Sequence, residues 1–155
     1  MAENAHFAAV SDWTAAQAML AFEPRRPTLP AGFEPARLRI FMRDHKLREL
    51  AVGERTLEAF YPGFVFTQSR KGVEEARRLA LDVSYGRDRH EASIGGHAAR
   101  AYELGPVPEP DDIDGRPPSV VTWHDGEMFF FLASGELPVQ ELIPIAASIY
   151  APRSG

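Results

Sequence analysis

The residues of this chain best suited to chemistry are its five histidines and a short run of aspartates. His90 and His97 flank Gly95-Gly96, and a two-residue turn there puts both imidazoles on one face of a hairpin. In that register His97 lies opposite Ile94, four residues from His90, which is about 13 Å along a strand. The pair cannot ligate one ion without a bulge. His124 opposite Glu127 makes an imidazole–carboxylate pair, but at a hairpin tip, where a surface hydrogen bond is expected ahead of a catalytic dyad. Asp111, Asp112, Asp114 and Gly115 suggest a calcium loop until the positions are counted. Pro110 stands where the first carboxylate of an EF-hand belongs and Val121 where its glutamate belongs, so a solvated acidic loop is expected.

The chain has no cysteine, which removes disulfides, thiolate zinc sites and cysteine nucleophiles. Nor does it contain a GxSxG elbow, a Walker loop, a Rossmann fingerprint or an HExxH helix. The expectation is a protein that is no enzyme and holds no cofactor and no metal.

The elements that must position any site are clearer. Ser11 is placed to cap a first helix of about ten residues ending near Phe22, with Trp13, Ala16, Met19 and Leu20 at helical spacing. Pro24, Pro27 and Pro30 predict an extended connector up to Gly32 and Phe33. From Ala36 to Arg43, Leu38, Ile40 and Met42 alternate with Arg37, Arg39 and Arg43, a half-buried strand in which Phe41 is the exception. Strand-like runs follow at Leu47 to Val52, Thr56 to Tyr61 and Phe64 to Gln68, divided by Gly53 and Pro62-Gly63 in the manner of an antiparallel meander. Residues 72–83 suit a short helix or a direct lead into a strand, and a helical turn followed by a strand near Leu79 to Tyr85 is expected. His90 to Ile94 and His97 to Leu104 form the Gly95-Gly96 hairpin, with Glu91 opposite Arg100. The stretch 105–118 reads as a proline-rich acidic loop.

The closing unit is a hairpin followed by an amphipathic helix. A turn at Asp125-Gly126 puts Val121, Trp123, Met128, Phe130 and Leu132 on one face and Val120, Thr122, His124, Glu127, Phe129 and Phe131 on the other. Pro138 suits the first turn of the helix, whose stripe of Val139, Leu142, Ile143, Ala146, Ile149 and Tyr150 should cover the Trp123 face. Pro144 predicts a kink or early break. If Val120, Phe129 and Phe131 share a concavity with the small Ala92, Ala99 and Ala101, an apolar pocket forms there. The competing expectation is ordinary core beneath the first helix, filled by Trp13 and Met19.

At 155 residues, 45% hydrophobic and 25% charged, the chain suits a single α+β domain over 1–155 with its ordered core at about 11–150. A formal charge of −5 gives no long-range attraction for nucleic acid. No apolar stretch reaches the roughly 18 residues of a membrane span, and residues 1–10 lack the pattern of a signal peptide. The expected compartment is the cytoplasm for a complete chain, and extracytoplasmic if a leader or anchor has been trimmed.

The helix ending in Phe22, the PxLPxGF-like run from Pro27 to Phe33 and the closing VTWHDGEMFFFLASGELPVQELIPIAASI together resemble a bacterial domain-of-unknown-function family. Its members occur in extracytoplasmic lipoproteins and anti-sigma-factor-like chains. More distantly, the layout looks like the outer-membrane lipoprotein-carrier superfamily. The resemblance implies a curved antiparallel sheet, an incomplete barrel, with an N-terminal helix and a C-terminal amphipathic helix. It also implies a non-enzymatic ligand-binding or sensory role, the ligand being an apolar small molecule or a protein segment, and it transfers no site residues. The alternative is a structural or protein-interaction module that uses a sheet edge or the acidic loop and has no pocket.

Overall fold

A computed structural model describes residues 6–28, 34–44, 46–70, 89–102 and 119–150. In chain order these form β1 (Phe7–Val10), α1 (Trp13–Ala18), β2 (Arg37–Phe41), β3 (Thr56–Tyr61), β4 (Phe64–Arg70), β5 (Arg89–Ile94), β6 (His97–Tyr102), β7 (Ser119–Asp125), β8 (Met128–Ser134) and α2 (Val139–Ala147). Single 3-10 turns occupy Val52–Glu54 and Ser148–Tyr150. The expected elements within 72–85, the acidic loop at 105–118 and the calcium-like aspartates lie outside the described residues.

The described strands make one open antiparallel sheet in the order β1-β2-β3-β4-β8-β7-β6-β5. It consists of two four-stranded meanders joined where β4 pairs with β8. The sheet-dominated α+β class expected from the sequence is thus the class observed. Paired residues share a face, so the register sorts every side chain. One cross-strand row runs Val10, Leu38, Ala59, Phe66, Leu132, Val121, Ala101, and the next runs Ile40, Leu57, Gln68, Phe130, Trp123, Ala99, Ala92. Both rows lie on the helix face, where the core is built. Phe66, Trp123 and Phe130 stack with centroids 5.1 to 6.5 Å apart, under Val139, Leu142, Ile145 and Ala146 of α2. At the β1–β3 end, Ala16 and Leu20 cover Ile40 and Leu57.

Gln68 is fully buried in this apolar row and needs partners to remain there. Its amide accepts from the Arg25 N–H at 2.8 Å and donates to the Arg25 carbonyl at 2.9 Å, acting as a one-residue strand partner for the extended connector. Further along, Thr28 donates its N–H to Ser148 Oγ at 2.9 Å and its hydroxyl to the Ser148 carbonyl at 3.1 Å. The proline-spaced segment is therefore fastened across the helix face at β4 and at the end of α2.

Several expectations need correction. Asp12, and not Ser11, caps α1: its backbone is extended and its carboxylate accepts the Ala15 N–H at 2.8 Å. The helix is six residues long, and Phe22 lies past its end while still packing on the Ile40 cluster. Leu47 to Val52 is not a strand. Asp44 collects the N–H groups of Lys46 and Arg48 and closes a tight turn, leaving only an isolated bridge between Arg43 and Glu49. Phe41 ceases to be an exception, because it sits on the far face beside Arg39 and Phe7.

The closing hairpin keeps its expected faces but not its expected pairing. Asp125 pairs with Met128, so the two-residue loop is Gly126-Glu127, with Gly126 at φ 61° in the first loop position. His124 consequently faces Phe129 and not Glu127. That two-residue shift preserves parity, which is why both face assignments survive. Pro144 lies inside α2, which continues to Ala147 before tightening into the 3-10 turn.

Candidate functional site

The register divides the six residues proposed to line a pocket. Val120, Phe129 and Phe131 lie on the far face, whereas Ala99 pairs with Trp123, Ala101 with Val121 and Ala92 with Ala99, all on the helix face. Ala99 and Ala101 are buried in the core that α2 covers, with Ala92 packed against it. The sheet stands between the two groups, and they cannot line one cavity. A long connection precedes β7, so nothing local in the sequence sets the β6–β7 register, and a one-residue slip exchanges faces.

The far-face half of that set has a different polar complement. Phe129 and Val120 are buried and Phe131 is half-buried; Tyr102, Val120, Phe131 and Ala133 form one apolar cluster. Set among them are Thr67, Ser69 and Thr122, buried hydroxyls in the middle strands of the sheet. Thr122 pairs with Phe131 on one side and Arg100 on the other, with Val120 and His124 two positions away along β7. The His124 ring lies 5.1 Å from that of Phe129. Thr122 is fully inaccessible, and its hydroxyl has no hydrogen-bond partner among the described residues. Such a group normally costs about 1–3 kcal/mol, so its presence calls for an explanation.

A second polar cluster lies at the hairpin tips on the helix face. Tyr150 Oη accepts from Trp123 Nε1 at 3.0 Å and donates to Asp125 Oδ2 at 2.8 Å. The other Asp125 oxygen lies 3.5 Å from His97 Nε2, and Arg25 reaches the carboxylate at 3.8 Å while its guanidinium stands over the Tyr150 ring. Burial, together with the bond to Asp125, pushes the Tyr150 phenol up to about 12 despite the opposing Trp123 bond. It is a neutral hydroxyl at physiological pH, committed in both directions. The cluster fastens the chain after α2 to both hairpin tips. The sequence signal for it was slight: Tyr150 as the last residue of the helix stripe, and an aspartate at the hairpin turn.

His90 pairs with Ala101 and His97 with Ile94, the separation that sequence spacing implied. Among the described residues, no group of three His, Asp or Glu side chains is placed to hold a metal ion. No helix among them is long and apolar enough to cross a membrane. No family model, curated protein or solved structure matches this chain.

Proposed function

We propose that this chain is a non-enzymatic binding domain, its sheet curled as an incomplete barrel, which takes a small, largely apolar molecule against the far face around Thr122. The observation that carries this reading is the orphaned Thr122 hydroxyl among Val120, Tyr102, Phe129 and Phe131. An unsatisfied hydroxyl in a buried apolar cluster suits a ligand that is mostly hydrocarbon and carries a donor or acceptor. On the helix face, Trp123, Phe66 and Phe130 pack under α2. Its polar cluster is tied internally, which supports a structural use of Tyr150 and Asp125 over a catalytic one.

Thr122→Val tests this reading through the sign of its effect. With the hydroxyl unpartnered in the free protein, the variant should be more stable than wild type by about 1 kcal/mol in urea unfolding. Native mass spectrometry of gently purified protein should show a small molecule on the wild type and less of it on the variant. A destabilised variant, with no bound molecule on either protein, defeats the reading.

One observation favours the alternative, a protein-interaction module working through a sheet edge. Met42 donates to the His6 carbonyl, which makes Ala8 and Val10 the hydrogen-bonded partners of β2 and turns the backbone groups of Phe7 and Ala9 outward. This edge is uncharged, whereas β5 carries Arg89, His90 and Glu91. Ala9→Pro removes an outward N–H while sparing the β1–β2 ladder. It should abolish stoichiometric capture of a protein partner, and unchanged capture removes the alternative.

A further inference from the structure

Among the described residues, Arg55 Nε is the buried nitrogen of a permanently charged group that has no hydrogen-bond partner. Its guanidinium makes no ion pair with a described carboxylate. Leaving a donor of an ion unsatisfied costs more than leaving a neutral one. The register adds a second charge of the same sign. Leu57 pairs with Gln68, so two positions further along Arg55 comes opposite Arg70, on the helix face and away from Thr122. Like charges directly opposite on a sheet repel. Both side chains nevertheless turn to the same stretch of chain leaving α1. Arg55 Nη1 donates to the Met19 carbonyl at 2.8 Å, and Arg70 Nη1 to the Ala21 carbonyl at 3.4 Å.

The neighbouring acids are committed elsewhere or face solvent. Arg70 Nη2 lies 3.8 Å from Glu127, whose side chain is 74% exposed. Glu54, next to Arg55 in the chain, accepts the Ala51 N–H at 3.0 Å. Asp125, two strands from Arg70 in the same cross-strand row, is shared by Tyr150, His97 and Arg25. Glu23 is exposed and pairs with neither arginine among the described residues. With Nη1 given to Met19, Arg55 keeps its Nε–Nη2 edge, the side-on fork that matches two oxygens of one oxyanion.

We propose that Arg55 and Arg70 form a binding site for a phosphate group. Its oxygens accept from the Nε–Nη2 edge of Arg55 and from Arg70 Nη2, and Glu127 gives way to it. Arg70, 41% exposed, is the open side of the site. A phosphate group carries close to two negative charges at neutral pH and so answers both arginines, whereas a carboxylate answers one. The group belongs either to free phosphate or to a phosphate monoester.

The test is calorimetric titration of the full chain with inorganic phosphate and with glycerol phosphate, alongside thermal unfolding in phosphate and in chloride at equal ionic strength. Wild type should bind one phosphate group per chain, with a midpoint that rises and saturates. Arg70→Met should weaken binding about tenfold, and Arg55→Met should weaken it further. Glu127→Gln removes the competing carboxylate and should tighten binding. Either order of affinity for the two probes supports the site, and the tighter one names the source of the group. No saturable binding by wild type, equal binding by Arg55→Met, or weaker binding by Glu127→Gln each overturns the proposal. A rise in midpoint shared by wild type and Arg55→Met is exclusion of phosphate from the protein surface, and also overturns it.

Discussion

Gly95 and Gly96 look interchangeable in the sequence, and both have positive φ, at 57° and 86°. Their surroundings separate them. A Cβ on Gly95 would meet the Tyr150 ring at 2.5 Å, whereas one on Gly96 meets nothing within 4 Å. Gly96→Ala should therefore cost only the backbone penalty of about 1 kcal/mol, and Gly95→Ala about 2 kcal/mol or more, compared by urea midpoints at equal slope. Tyr61 and Tyr150 make a second residue-scale expectation. Burial is the leading cause that raises both phenols to about 12 from an ordinary 10, so the folded state holds their protons where the unfolded chain releases them. Their contribution is fully present below pH 10 and is lost as pH rises towards 12. Tyr150→Phe should reduce the steepness of that loss in a series of denaturation curves. Neither tyrosine announced this in the sequence, because burial and partners come from contacts that no local spacing encodes.

At the scale of elements, legibility followed the locality of the signal. β3 appears with the bounds its alternation implied, since Pro62-Gly63 ends one strand and starts the next within a few residues. α1 was misjudged by one capping position and in its length, because Ser11 and Asp12 are both competent caps and only Asp12 adopts the extended backbone that aims its side chain at Ala15. The Leu47 to Val52 run does not form a strand for a similar reason: Asp44 offers the backbone a closer set of partners. The connector shows the reverse, since nothing in PRRPTLP indicates that Gln68 will pair with Arg25. Gln68→Leu should leave the core filled, free the connector from β4 and speed tryptic cleavage between Arg25 and Arg26. Unchanged cleavage would mean that Thr28 and Ser148 hold the segment without it.

At the scale of the whole molecule, the candidate site was half legible. Parity along β7 and β8 separated the Trp123 face from the Phe129 face correctly, even though the turn is one residue further along than Asp125-Gly126 suggests. The alanines of β5 and β6 were assigned to the wrong side because no short turn ties β6 to β7. A threonine in a strand is ordinary in the sequence, and only complete burial of the Thr122 hydroxyl makes it a question. Leu142, fully buried on α2, tests the helix-face core directly: Leu142→Ala should cost about 2–5 kcal/mol in thermal or urea unfolding.

The pairing of β4 with β8 has a consequence for how the chain is made. The first meander ends in a seven-residue strand, FVFTQSR, whose open edge is not satisfied until β8 arrives some sixty residues later. A ribosome adding about 5–20 residues per second leaves that edge, with Phe66 and Gln68 beside it, unpaired for several seconds. For that interval the nascent chain presents a flat template for pairing with its neighbours, and that edge is where a holding chaperone would bind.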